Sequence, residues 1–85
     1  MWLVVIPTSI ANNINMNREY IYSLGKYIKS LRVQRKLTQD DLGINGVSRS
    51  MISLLETAST DITVSKLKII ADNLGVKVKD LFEFE

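Results

Sequence analysis

The chain has 85 residues, enough for one domain with a small core and little more. Apolar residues make up 46 % and charged residues 24 %, a globular composition rather than a disordered one. There is no Cys and no His, which excludes a disulfide scaffold, a thiolate nucleophile, a Ser–His or Cys–His pair, and a zinc site built on nitrogen or sulfur. Only carboxylates remain as metal ligands, and no metal or cofactor is expected. Absence of Cys fits a reducing cytosol, so a cytoplasmic location is expected.

Charge is unevenly spread. The first 17 residues carry no charged side chain, residues 18–49 sum to +4 and residues 50–85 to −2. A basic half beside an acidic half gives an oriented electrostatic face of the kind a polyanion finds, although scatter on a soluble surface is the competing reading.

Residues 1–17 form an apolar, Asn-rich arm by composition. Trp2-Leu3-Val4-Val5-Ile6 is a β-prone run ended by Pro7, which suggests a short strand or an extended arm. Asn12, Asn13, Asn15 and Asn17 read as loop. Met16 is an alternative start, which would make the preceding residues an upstream extension. The apolar run lacks a basic flank and is too short for a signal peptide. No run approaches the roughly 20 residues of a membrane span.

Helical periodicity takes over in residues 18–85, the expected domain proper. Ile21, Leu24, Ile28 and Leu31 fall on one face of a helix from about Asn17 to about Arg35, with Lys26, Lys29, Arg32 and Arg35 largely off that stripe. Thr38, Ser48 and Thr63 are N-cap candidates whose hydroxyls accept from orphan N–H groups. Each sits inside an apolar staple: Leu37 with Leu42, Val47 with Ile52, Ile62 with Leu67. Thr38 and Asp41 approximate a capping box. Helices are therefore expected at about 39–44, 49–56 and 64–74. Gly75 suits a left-handed C′ position. A last short helix is expected at about 77–82, burying Val78, Leu81 and Phe82, with a short strand or a frayed end over 81–85.

The pair at 39–44 and 49–56, joined through Asn45 and Gly46, has helix-turn-helix spacing. A plain packing unit has the same spacing, so the chemistry of the second helix decides. Val47, Ile52 and Leu55 make its inner stripe. Ser48, Arg49, Ser50 and Ser53 lie on the other face near its N-terminus. Small hydroxyls let a backbone approach a groove, and an Arg among them bonds guanine O6 and N7. The helix N-terminus also offers N–H groups and partial positive charge to phosphate.

Leu37-Thr38-Gln39-Asp40-Asp41-Leu42 followed by Gly46-Val47-Ser48-Arg49-Ser50-Met51-Ile52-Ser53-Leu54-Leu55-Glu56 resembles the phage repressor/Cro-type (XRE-like) helix-turn-helix family. Leu24-Gly25-Lys26-Tyr27-Ile28, and the distal Leu67, Ile70-Ala71, Leu74-Gly75-Val76 and Asp80-Leu81-Phe82, extend the resemblance over about residues 20–84. It implies an all-α, five-helix lambda-repressor-like domain that reads double-stranded DNA half-sites as a homodimer through its third helix.

Carried over by position, Arg49, Ser50 and Ser53 would face base edges, with Leu54 at the rim. Gln39 and Ser48 would meet phosphate, Thr38 would serve as a cap, and Glu56 falls at an acidic position that is more often structural. Gly43 departs from the family's usual Ala and is expected to cost about 1 kcal/mol inside a helix. The segment Leu42–Gly46 is one residue short of the usual pattern. After Glu56 the family's Gly and basic residues are missing, so phosphate anchoring is expected to lean on Arg32, Arg35 and Lys36, with a solvated face as the competing reading.

No paired acid/base site is present, because Asp40 and Asp41 point about 100° apart on a helix. No Gly-rich phosphate loop is present either, so an enzyme is not expected. The expected function is a small sequence-specific transcriptional regulator, a repressor or controller protein, without room for an effector domain. The alternative is an antitoxin-like protein whose main partner is a toxin and whose arm binds it. A trimmed sensor is a third reading.

Overall fold

In the computed structural model the first helix, α1, runs Ile6–Gln34; the backbone is described from residue 6 onward and side chains from residue 18 onward. The strand suggested for Trp2–Ile6 lies outside the described residues except at Ile6, which is helical. The loop expected at Asn12–Asn17 is instead part of α1, which begins eleven residues before the expected start. Pro7 falls in the first turn, where a missing N–H leaves no helical bond unmade. No second Pro or Gly occurs before Gly25, and each Asn is only a mildly poor helix former, so nothing in the segment breaks the helix.

Three helices follow: α2 (Gln39–Leu42), α3 (Arg49–Glu56) and α4 (Val64–Leu74). A 3₁₀ turn over Val78–Phe82 stands where a fifth helix was expected. The strand alternative for 81–85 is replaced by the end of this 3₁₀ segment and a turn. All three expected caps form. Thr38, Ser48 and Thr63 accept from the backbone N–H of Asp41, Met51 and Lys66 at 3.1, 3.0 and 3.2 Å. At α2 the box closes, with the Thr38 N–H donating to Asp41 Oδ2 at 2.7 Å. Gly75 caps α4 in the left-handed conformation, φ 78°.

The α2 helix has only four residues, far below the roughly 12–15 that make an isolated helix even marginal. Its cap contributes about 1 kcal/mol, and the fully buried Leu42 about 1.5–3 kcal/mol. Contrary to the expected helix over 39–44, α2 ends at Leu42 and Gly43 is its C-cap at φ −83°, ψ 56°. The helix-interior cost of glycine therefore does not arise. What Gly43 provides is closeness: a Cβ there would lie 2.6 Å from the Arg49 nitrogen.

The core draws on every element. Leu24, Ile28 and Leu31 come from α1, Leu42 from α2, Ile52 and Leu55 from α3, and Leu67, Ile70, Ala71 and Leu74 from α4; Val47 and Leu81 complete it. All six staple residues belong to this cluster or pack against it. The helix α3 rests on α1 and α2, α2 also meets α4, and the 3₁₀ turn bridges α1 and α4. At that distal end the Phe84 ring lies 5.4 Å from Tyr20 and 5.9 Å from Tyr27, and Phe82 stacks on Tyr20 at 6.2 Å. These centroid separations are typical of favourable aromatic pairs.

Candidate nucleic-acid interface

The helix α3 turns one face to the core and the other to solvent. Ile52 and Leu55 are fully enclosed and Val47 is buried just before the helix. Ser48, Arg49 and Ser50 are exposed and Ser53 is half-buried, on the side expected to face bases. Leu54 is 47 % exposed, an unshielded apolar side chain beside this polar face. Ser48 accepts from the Met51 N–H, which leaves the N–H groups at the start of α3 as donors for an outside acceptor.

Arg49, expected to face base edges, is exposed and has an acidic neighbour. Its Nε lies 3.4 Å from Asp40 Oδ1, an ion pair between groups 65 % and 77 % exposed. Sequence reasoning overlooked Asp40 here and treated it only as a carboxylate beside Asp41. The separation of nine residues across a turn gives no periodic signal, and only the packing of α2 on α3 brings the two side chains together.

Arg32 corrects the phosphate-anchor expectation. Its guanidinium is turned inward, with Nε donating to Glu56 Oε2 at 2.7 Å, Nη2 to Glu56 Oε1 at 2.9 Å and Nη1 to the Leu37 carbonyl at 2.8 Å. The two side chains are only 11 % and 2 % exposed. This fork-on-fork geometry is the strong form of the Arg–carboxylate pair. The hydrogen bonds to Glu56 hold the Arg32 proton more tightly than usual, against the opposing pull of burial. Glu56, expected to be more often structural than a DNA contact, has that role. Gln39 Nε2 also donates to Glu56 Oε1, at 3.0 Å, and keeps a second amide N–H for another acceptor.

Arg35 and Lys36 are exposed in the α1–α2 connection, and Lys36 holds a left-handed backbone, φ 59°. Of the three cations expected to anchor phosphate, only these two face outward. On the far side of the turn, Lys66 Nζ donates to the Gly46 carbonyl at 2.7 Å. Asn73 donates to the carbonyls of Leu42 and Ile44 at 3.0 and 3.1 Å. The α2–α3 turn is thus tied to α4 and does not depend on its own sequence alone for shape. Beside α3 lies an open cleft of about 390 Å³, with Ser50, Met51 and Leu54 on one wall and Ile62, Thr63 and Lys66 on the other.

Two short helices joined by a tight turn, the second presenting a polar outer face, define a helix-turn-helix domain. A helix-turn-helix family model matches residues 28–81. The chain belongs to that family, of the phage repressor/Cro type (XRE-like), and is a DNA-binding helix-turn-helix regulator. Comparison with curated proteins and with solved structures gives no match. Among the described residues no helix is long and apolar enough to cross a membrane.

Proposed function

We propose that the protein is a sequence-specific transcriptional regulator that binds a palindromic operator as a homodimer and represses by occupying it. The observation that carries this reading is the outer face of α3, where Arg49 and Ser50 are exposed and Ser53 is half-buried, on a helix whose opposite face is committed to the core. Arg49 reads guanine, the two serines admit the helix to the major groove, and the half-exposed Leu54 meets the rim. Arg35, Lys36, Gln39 and Ser48 hold the flanking phosphates, while Arg32 stays inside.

Dimerisation supplies the second half-site, since one short helix makes few base contacts. The apolar residues of the distal end are Val78, Leu81, Phe82 and Phe84; Leu81 is fully enclosed in its own protomer and offers no surface to a second copy. Val78 and the outer edges of Phe82 and Phe84 remain as the dimer surface. A monomer at tens of micromolar by light scattering would contradict this part of the reading.

Selection of bound duplexes from a random pool, followed by two variants, tests the DNA reading. Arg49→Ala is expected to lose about 1–3 kcal/mol on the selected duplex and less on unrelated DNA, because a bidentate Arg–guanine contact carries about that discrimination. Lys36→Ala is expected to weaken both duplexes by similar factors and to lower the salt slope by about one phosphate's worth. If Arg49→Ala binds both duplexes as the parent does, α3 is not the reader.

A further inference from the structure

We propose that Asp40 positions Arg49 for guanine, which makes the first turn of α2 a determinant of DNA specificity although it lies outside the reading helix. The inference rests on the assignment of the outer face of α3 to the bases.

The placement begins in the backbone. Gly43 brings the end of α2 so close to α3 that an added Cβ would sit 2.6 Å from the Arg49 nitrogen and 3.0 Å from its Cα. Gly43 in turn donates its N–H to the Asp40 carbonyl at 3.1 Å. The first turn of α2 and the first turn of α3 are therefore brought close together, with Gly43 at the point of approach. The two neighbouring acids then divide their work. The Asp41 carboxylate is engaged by the Thr38 N–H in the capping box. The Asp40 carboxylate points outward, and among the described residues its charged partner is Arg49.

The chemistry favours division of labour on the guanidinium as well. Arg carries five N–H donors in a planar fork, and guanine needs two of them, directed at O6 and N7. The closest approach of Asp40 is to Nε, the donor nearest the aliphatic stem. A carboxylate held there restrains the rotation of a long side chain before DNA arrives, which lowers the ordering cost of binding. An exposed ion pair of this kind contributes little to folding, so its effect belongs to the geometry of recognition. The same carboxylate lies on a face that meets phosphate, where its charge opposes binding to any DNA. Asp40 thus has two consequences of opposite sign: sharper discrimination at guanine and weaker binding everywhere.

That pair of signs is the test. The parent, Asp40→Asn, Arg49→Ala and the double variant are titrated by fluorescence anisotropy against three duplexes. These are the duplex selected by the parent, the same duplex with its half-site guanine replaced, and an unrelated duplex. Asp40→Asn is expected to melt as the parent does and to bind the unrelated duplex at least as tightly. It is expected to lower the discrimination against the replaced guanine about two- to fivefold, the range of an exposed pair. In the Arg49→Ala background the same change is expected to leave discrimination where it was. Undiminished discrimination in Asp40→Asn overturns the proposal, as does an equal loss in the Arg49→Ala background. A parent that selects no sequence overturns the assignment of α3 itself, and the role of Asp40 with it.

Discussion

Replacing Arg32 by Met removes one half of the buried ion pair and leaves the other half in place. Glu56 is then a carboxylate with 2 % of its side chain exposed, and its remaining donor is one amide N–H of Gln39 at 3.0 Å. Two charge-assisted bonds, at 2.7 and 2.9 Å, are lost, and so is the bond to the Leu37 carbonyl. Breaking a buried pair from one side costs about 3–5 kcal/mol, because the orphaned charge keeps its desolvation penalty. A domain of this size has about 4–13 kcal/mol in total, from about 0.05–0.15 kcal/mol per residue. Arg32→Met is therefore expected to lower the melting temperature by more than about 12 °C, or to leave the chain largely unfolded. Arg32→Met combined with Glu56→Leu removes both charges and is expected to recover most of the loss, since an apolar pair of similar volume is often neutral. Urea and thermal melts followed by far-ultraviolet circular dichroism measure both variants. A loss under about 1 kcal/mol for Arg32→Met, the value of a surface pair, would refute the reasoning, and so would a double variant as unstable as the single one.

Three further outcomes are expected. Gly25→Ala would place a Cβ 2.1 Å from the Leu55 carbonyl oxygen and force α1 away from the end of α3. Overpacking of about 1–3 kcal/mol then outweighs the gain of roughly 1 kcal/mol in helix propensity, and a urea melt should show net destabilisation. Ala58 sits at φ 58°, so Ala58→Gly should stabilise by about 0.5–1 kcal/mol: a left-handed cost of about 1–2 kcal/mol is relieved against about 0.4–1 kcal/mol of added unfolded-chain entropy. The Thr38 backbone N–H first, and its side chain second, hold the Asp41 carboxyl below its ordinary value. Because the folded value is the lower one, this stability is fully present above about pH 4 and is lost as pH falls through the folded value; urea midpoints across the acid range should fall less steeply for Asp41→Asn.

What could be read from the sequence is what local chemistry decides. Each of the three caps needs only a hydroxyl and an N–H three residues on, and each staple needs only two apolar residues five apart. Thr38, Ser48 and Thr63 were therefore legible along with the helices they start. The inner stripe of α3 was legible for the same reason. Features that depend on distant partners were not. Arg32 lies off the apolar stripe of α1 and so resembles a surface cation, yet its side chain folds back to an acid twenty-four residues away. The pairing of Arg49 with Asp40 depends on how closely two helices approach. The start of α1 was missed because a run of asparagines has loop composition, while the backbone only lacks a reason to stop.

The shortness of α2 bears on how far the DNA-reading unit can be moved. Its single turn is held by Leu42 sunk among residues of the other elements, by the Asn73 amide of α4 at its end, and by Gln39 joined to the Arg32–Glu56 pair. The segment 38–56 is thus not a portable cassette. Grafted onto a foreign scaffold, it would bring Glu56 without Arg32 and the α2–α3 turn without Lys66 and Asn73. A designer seeking a new operator preference would do better to keep the whole domain and vary only the outward positions of α3 and the first turn of α2.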